Sequence, residues 1–290
     1  MACRRAVATI LSCGLTVLAL GCDRSGSQSG ATVTIFHIND IYEIDAIDGG
    51  RAGGLSRTAT VLRRLERTEP PVLMTLGGDY LSPAAIASAI VDGEPLAGRQ
   101  MVDVLNHVGL DWAVLGNHDF DVSESAFRSR LAEGRFRVIA SNVSDVNGQL
   151  FAGTVRSAIV PVNAGNRVIR LGLIGLTVAA TLRPWVRYSD PIAAAREQLE
   201  QLKGKVDAIV ALTHLTLADD QELVTQLPAI DVVLGGHEHE NWLARRGPGF
   251  TPIVKADANV RSAAVVTLRF ADAGTRPISV VPPRNHRSTR

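Results

Sequence analysis

Five short apolar runs, each ended by a polar residue that can bind a metal ion, constrain the fold of this chain. They are residues 32–38 before Asp40, 72–76 before Asp79, 113–115 before Asn117, 208–213 before His214, and 231–234 before His237 and His239. Runs of this length and composition predict β-strands, and the amphipathic segments between them predict helices. Strands that alternate with helices favour an α/β sheet whose ligand-type residues gather at the strand ends.

Helices are predicted at residues 56–67, 100–108, 124–133 and 191–202. Gly109 is suited to end the second helix, and Asp190 followed by Pro191 is a good start for the fourth. Residues 252–255 and 263–270 predict closing strands. Residues 282–290 are predicted to be disordered.

Each of the five polar positions also has an ordinary explanation, because Asp beside Gly is common in turns and a single His often ends a strand. His237 and His239 are two residues apart and would point to the same side of a strand, which favours a shared metal ion. A polar residue of this kind at the end of each of five apolar runs is improbable by chance. We therefore interpret these positions as one metal site, and His37, His107 and His286 as structural or idle.

The segment Gly116-Asn117-His118-Asp119-Phe120-Asp121 joins the third run to a predicted helix. Asn117 offers an amide oxygen for a hard metal ion, and His118 offers an imidazole for proton transfer. In the alternative interpretation the segment is a turn in which Asn117 tolerates an unusual backbone and Asp121 caps the helix.

Composition limits the classes of function. A chain of 290 residues with 46% apolar content can form one large α/β domain or two small ones. The formal charge is +1 and the basic residues form no stripe, which disfavours nucleic-acid binding by charge alone. Walker and dinucleotide glycine patterns are absent, which disfavours ATP-driven and redox functions.

The N-terminus has the pattern of an export signal. Arg4 and Arg5 precede an apolar stretch, residues 6–20, that is short for a membrane span. The ending Leu-Ala-Leu-Gly-Cys resembles a bacterial lipoprotein signal that is cleaved before Cys22, although Ala19 stands where a larger aliphatic residue is usual. An ordinary secretory signal and a twin-arginine signal are the alternatives, and the residues flanking Arg4 and Arg5 match the second poorly.

Four segments are expected: a signal peptide at residues 1–21, a flexible tether at 22–30, one domain at 31–275 and a tail at 276–290. Removal of the signal also removes Cys3 and Cys13, so no disulfide can form within the remaining chain.

The ordered motifs resemble the calcineurin-like metallophosphoesterases, and among them the 5′-nucleotidase branch. The segment Phe36-His37-Ile38-Asn39-Asp40 is similar to the opening strand of that branch, and residues 101–106, 109–111 and 116–121 are similar to its middle block. The resemblance covers residues 31–270. It implies an α/β fold, a four-layer αββα sandwich of two mixed β-sheets flanked by helices.

The resemblance also implies a dinuclear centre of two divalent metal ions, Mn, Zn or Fe, bridged by Asp79. The implied ligands are Asp40 and His239 for the first ion, and Asn117, His214 and His237 for the second. Mixed carboxylate, amide and imidazole ligands suit these metals.

A hydroxide held between the two metal ions would attack phosphorus in line. His118 would stabilise the developing charge or protonate the leaving oxygen, and Asp121 would orient His118.

The sequence departs from the family in two ways. Tyr42 stands where the family usually has a His ligand, and a phenol binds well only to a metal ion acidic enough to deprotonate it. Nucleotidases of this branch carry a second domain that binds the nucleotide, and no counterpart is recognised in this sequence. Residues 181–190, which include Arg183, Trp185, Arg187 and Tyr188, either supply substitute contacts or form a packed surface loop, and we favour the second interpretation.

We therefore expect an exported, lipid-anchored phosphohydrolase at the periplasmic or cell-surface face of a bacterial membrane. Its expected partners are small phosphomonoesters, including nucleotides, and the membrane itself through Cys22, but not nucleic acid. The alternatives are a cyclic-nucleotide phosphodiesterase, a sulfur-ester hydrolase, or a non-catalytic surface lipoprotein that binds a metal or ligand.

Overall fold

The computed structural model describes residues 30–271 and 277–281. The strands, in chain order, are Thr32–Ile38 (β1), Ala46–Ile47 (β2), Ala52–Gly53 (β3), Val72–Leu76 (β4), Ile90–Val91 (β5), Glu94–Pro95 (β6), Trp112–Val114 (β7), Arg137–Ile139 (β8), Val143–Ser144 (β9), Thr154–Val155 (β10), Ser157–Ala164 (β11), Arg167–Thr177 (β12), Arg187–Tyr188 (β13), Ala208–His214 (β14), Val232–Gly235 (β15), Trp242–Arg246 (β16), Thr251–Lys255 (β17), Ala264–Phe270 (β18) and Pro277–Val281 (β19). The α-helices are Leu55–Thr68 (α1), Arg99–Val108 (α2), Glu124–Glu133 (α3), Pro191–Leu202 (α4) and Leu217–Gln226 (α5).

Two mixed sheets contain most of these strands. The first has the order β10-β8-β7-β4-β1-β18-β19, in which β10 to β1 are parallel neighbours and β18 and β19 are antiparallel. The second has the order β11-β12-β14-β15-β17-β16, with a parallel centre and an antiparallel strand at each edge. Three two-stranded pairs, β2 with β3, β5 with β6 and β9 with β13, lie in the connections.

The two sheets pack face to face. Val33 and Ile35 of β1 join Val210 and Leu212 of β14 in one buried cluster between the sheets. Successive side chains of a strand point to opposite faces, so Phe36 of β1 lies in a different cluster on the outer side.

Helices cover both outer faces. Buried residues of α1, α2 and α3 pack against the outer face of the first sheet, and those of α4 and α5 pack against the second. The layers therefore run helix, sheet, sheet, helix, and the fold expected from the sequence is confirmed.

The predicted elements agree closely with the structure where end signals were strong. The helices at 124–133 and 191–202 have the predicted bounds, and the Asp190 side chain caps the second of them by accepting the Ala193 N–H at 2.7 Å. The sequence prediction did not include the β11–β12 pair or α5.

The two ends of the chain lie largely outside the residues that the structure describes. Residues 1–29, with the predicted signal, most of the tether and Cys22, and residues 282–290 of the predicted tail are outside the described residues. Strand β19 pairs with β18 beyond residue 275, where the sequence prediction ends the domain, because β18 offers a free edge for antiparallel pairing. Within the described ranges no helix is both long and apolar enough to cross a bilayer.

Candidate metal centre and catalytic pair

The predicted site residues lie at the carboxyl ends of strands from both sheets. Asp40 follows β1, Asp79 follows β4 and Asn117 follows β7 in the first sheet. His214 ends β14 and His237 follows β15 in the second. Because the sheets are stacked, these ends meet at one edge of the sandwich.

Asp40, Asp79 and His214 form the buried centre of the site, and their potential ligand atoms all lie within 4.8 Å of one another. Nε2 of His214 lies 3.2 Å from Asp79 Oδ2 and 4.0 Å from Asp40 Oδ1. Nδ1 of His214 lies 2.7 Å from the Gly77 carbonyl and donates to it, so Nε2 is left facing the carboxylates.

The charge balance at this centre calls for a cation. Burial lowers the pKa of His214, but Asp79 and Asp40 outweigh it and raise that pKa to about 9. Burial has the opposite effect on an acid and raises the pKa of Asp40. The hydrogen bond with His239 and the charge of His214 outweigh burial and bring the Asp40 pKa below its ordinary value. Two buried carboxylates thus hold a proton on the nearest imidazole, where a metal ion would supply the same positive charge.

Two buried polar atoms support a metal interpretation. Asn117 Oδ1 has no hydrogen-bond partner within the described part of the chain, and His214 Nε2 lies 3.2 Å from Asp79 Oδ2 without the geometry of a hydrogen bond. Buried polar atoms are nearly always satisfied, so atoms of these types beside two carboxylates fit the coordination of a divalent metal ion.

His239 and Tyr42 lie at the open side of the centre. His239 Nε2 is 3.3 Å from Asp40 Oδ1 and 2.8 Å from the Tyr42 hydroxyl. The Tyr42 hydroxyl is also 3.1 Å from Asp79 Oδ2. Burial, followed by the charges of Asp79 and Asp40, raises the pKa of Tyr42, so without a cation the phenol is a neutral donor. The hydrogen bond with Asp40 raises the pKa of His239 against the effect of burial.

His237 reaches the centre through its ring and its backbone. Its imidazole meets that of His214 edge-on, with 5.2 Å between ring centroids. The backbone N–H of His237 donates to Asp40 Oδ2 at 3.0 Å. Burial, and then the charge of His214, lowers the pKa of His237, which keeps the ring neutral as a metal ligand requires.

The backbone around the centre is held in uncommon conformations. Asp40, Asp79, His237 and His239 all have positive φ, with values of 51°, 55°, 86° and 60°. Such strain clusters at functional sites. Gly116 is required by close approach, because a Cβ there would lie 2.0 Å from Asp79 Oδ1.

A second pair lies beside the centre. His118 Nδ1 is 2.6 Å from Asp121 Oδ2, and the backbone N–H of His118 donates to Asp79 Oδ1 at 2.8 Å. Arg183 then holds the other carboxylate oxygen, Asp121 Oδ1, at 2.9 Å and donates from Nε to the Phe120 carbonyl at 2.8 Å. His118, Asp121 and Arg183 are all partly exposed, so a substrate can reach them.

The loop that carries Arg183 packs through its aromatic residues. Trp185 contacts the rings of Phe120 and Phe127, with centroid distances of 5.8 and 5.2 Å, and Tyr188 donates to the Thr181 carbonyl. The contact between Arg183 and Asp121 was not predicted, because no motif links residues 62 positions apart.

Two further residues that sequence reasoning left without a role fix the loops of the site. Asp119 is fully buried and accepts the backbone N–H groups of Asp79, Tyr80, Leu81 and Gly116. Burial, and then the charge of Asp79, raises the pKa of Asp119 to about 7, although backbone hydrogen bonds oppose the change. Asn259 accepts the N–H of Tyr42 at 2.8 Å and so fixes the loop after β1. The position of Asp119 inside the Asn-His-Asp segment was the available signal, whereas Asn259 had none.

The chain matches a known protein family. A sequence profile of the family named calcineurin-like phosphoesterase matches residues 33–241. The chain belongs to that family. As a metallophosphoesterase it is similar to curated 5′-nucleotidases, for example a snake venom 5′-nucleotidase from Gloydius brevicauda, with 28% identity over 226 residues. That match covers 71% of this chain and 36% of the relative.

Solved structures share the metallophosphoesterase fold. A 5′-nucleotidase precursor from Thermus thermophilus has a TM-score of 0.74 and 22% identity over 87% of this chain and 54% of its own. A sulfate thiohydrolase from the same species has a TM-score of 0.72 and 16% identity over 87% of this chain and 56% of its own. This chain spans less than half the length of the curated nucleotidases that it matches.

Proposed function

We propose that this metallophosphoesterase hydrolyses phosphomonoesters of the 5′-nucleotide type at a dinuclear metal centre. The observation that supports the proposal is the convergence of Asp40, Asp79 and His214 at the strand ends, beside the paired His118 and Asp121. A binding protein without turnover would have no need of an imidazole held by a carboxylate next to a metal site.

The residues present fit two metal ions. Asp79 would bridge them, and the proposed ligand sets are Asp40 and His239 for the first, and Asn117, His214 and His237 for the second. When bound, two such ions would supply Lewis acidity toward phosphate oxygens and activate water as the nucleophile. Mn, Zn and Fe are compatible with these ligands.

His118 would act on the departing group. Its Nδ1 is occupied by Asp121, so Nε2 is the nitrogen available to the substrate. As the bond between phosphorus and the ester oxygen breaks, the protonated imidazole would give its proton to that oxygen. Asp121 would stabilise the imidazolium before transfer.

A panel assay tests the proposed reaction. The full chain with Cys22→Ser should hydrolyse a nucleoside 5′-monophosphate, with added Mn, Zn or Fe, faster than a cyclic nucleotide or a thiosulfate ester. Asp79→Asn should lose metal and nearly all activity, because Asp79 would contact both ions. A turnover equal to wild type in Asp79→Asn with two bound metal ions would contradict the dinuclear proposal, and a preference for the sulfur ester would favour the alternative hydrolase.

We also propose that the protein is exported and anchored through Cys22, which the Leu-Ala-Leu-Gly-Cys sequence supports. Wild-type protein should partition into detergent, because several acyl chains bind membranes firmly, whereas Cys22→Ser should stay in the aqueous phase. A wild type found wholly in the aqueous phase would remove the anchor from the proposal.

A further inference from the structure

A buried ammonium group lies directly behind the candidate metal centre. Lys255 ends β17 with 1% of its side chain exposed, and Nζ lies 2.9 Å from Asp220 Oδ2 and also contacts the carboxylate of Glu238. Nζ further donates to the Leu215 carbonyl at 2.6 Å and the Gly236 carbonyl at 2.9 Å. Four oxygens from three different segments therefore converge on one side chain.

Three of these acceptors adjoin the proposed histidine ligands along the chain. Leu215 directly follows His214, Gly236 directly precedes His237, and Glu238 separates His237 from His239. The second carboxylate oxygen of Glu238 accepts the N–H of Leu217. Lys255 and Glu238 thus tie the end of β14 to the end of β15, the two places from which the histidine side chains project.

A charged residue is a costly way to fill this space. A buried Lys must be paired, and apolar residues of similar volume often serve stability equally well or better. Asp220 is fully buried and provides that pairing from α5. An ammonium group can do what an apolar side chain cannot. Its three N–H donors form hydrogen bonds that hold several oxygens at fixed positions.

We propose that Lys255, held by Asp220 and acting partly through Glu238, is the positioning residue that fixes His214, His237 and His239 for metal binding. This inference rests on the proposed function. Glu238 then serves Lys255 and the backbone of Leu217, and is not a metal ligand. Partners that hold metal ligands in place typically cost about 10- to 100-fold in metal affinity when they are removed.

Metal affinity tests the inference without reference to turnover. The full chain, stripped with a chelator, is titrated with Mn²⁺ by calorimetry well below its melting temperature. Glu238→Gln and Lys255→Met should each weaken Mn²⁺ binding about 10- to 100-fold. Lys203→Met is the matched control, because Lys203 forms an exposed pair with Glu200 far from the ligand loops, and it should bind Mn²⁺ as the wild type does.

Folding is controlled within the same set. Glu238→Gln retains the ion pair between Lys255 and Asp220, so it decides the question if Lys255→Met fails to fold. Folded variants that bind Mn²⁺ as tightly as the wild type would overturn the inference, even if their melting temperatures fell, because the cluster would then serve stability alone. A wild type that binds none of Mn²⁺, Zn²⁺ and Fe²⁺ would overturn the proposed metal centre together with this inference.

Discussion

The phenol of Tyr42 lies among the side chains that we propose as ligands of the first metal ion. Its hydroxyl is within hydrogen-bond distance of Asp79 and His239 and 3.4 Å from Asp40 Oδ1. Because nearby carboxylates and burial raise its pKa, a Zn or Mn ion would have to overcome a larger cost than usual to bind a phenolate. We therefore expect Tyr42 to act as a donor to the carboxylates and to leave the first metal site weak.

Replacement of Tyr42 distinguishes a donor from a ligand. Tyr42→Phe should leave metal stoichiometry, absorbance and kcat nearly unchanged, whereas Tyr42→His should tighten the first site by adding an imidazole ligand. The measurements are metal content, visible spectra and kcat of the purified proteins. A coloured iron protein that Tyr42→Phe bleaches would instead identify a phenolate bound to ferric iron.

At the scale of elements, the connection from β12 to α4 adds a contact to the proposed catalytic pair, His118 and Asp121. Trp185 anchors this connection in the aromatic cluster beneath the first sheet, and Arg183 reaches from it to Asp121. Arg183 donates hydrogen bonds to both the Asp121 carboxylate and the Phe120 carbonyl. It therefore restricts rotation of the carboxylate that holds His118. Arg183 is in our view a positioning residue for the proposed acid.

Loss of Arg183 should therefore depend on the leaving group. Arg183→Ala should lower kcat about tenfold or more for a nucleoside 5′-monophosphate, whose leaving oxygen is basic. The loss should be much smaller for p-nitrophenyl phosphate, because its leaving group, p-nitrophenolate, departs without a proton. His118→Ala should show the same pattern with a loss of about 10²–10⁴-fold and unchanged metal content.

Arg187→Ala is the matched control for Arg183→Ala, because Arg187 lies on the same connection and its Nη1 donates to the Val186 carbonyl. It should retain wild-type rates on both substrates. Equal losses on both substrates in Arg183→Ala would show that Arg183 does not act through proton transfer.

The elements also show what the sequence can and cannot specify. Helix α4 was predicted with its bounds because Asp190 and Pro191 are local signals. Strand β11 was missed because Pro161 argues against a strand, yet it is tolerated here at a sheet edge. Helix α5 was missed although its start carries a local signal, the Thr216 side chain that accepts the Asp219 N–H.

The candidate site was predicted only as far as local signals reach. A strand end or glycine marks each proposed ligand, so Asp40, Asp79 and His214 could be selected before their contact was known. Lys255 and Asn259 act across long separations in sequence, and no local pattern specifies their partners. The assignment of strands to two sheets came from the family resemblance.

At the scale of the whole molecule, the proposed metal ions would connect the two sheets. Asp40, Asp79 and Asn117 belong to the first sheet, and the three histidines belong to the second. A metal that binds only the folded protein adds about 2.7 kcal/mol of stability at about 100 times its Kd.

Chelation should accordingly lower the melting temperature by about 5–10 °C for each tightly bound ion, since 1 kcal/mol corresponds to about 2–4 °C at this size. Scanning calorimetry with and without a chelator measures the difference. Asp79→Asn should melt at one temperature in both conditions. A wild type whose melting is indifferent to chelation would contradict metal binding between the sheets.

The apolar cluster between the sheets would therefore set a distance on which the proposed chemistry depends. The volumes of Val33, Val210 and the other members of that cluster determine how far apart the two sheets lie. His214 Nε2 and Asp79 Oδ2 are 3.2 Å apart across that boundary, and a displacement of about 1 Å at a reacting centre can cost about a hundredfold in rate. Core packing in this protein would thus act as a spacer for catalysis, and a change in the volume of a valine would alter turnover in a chain that remains folded.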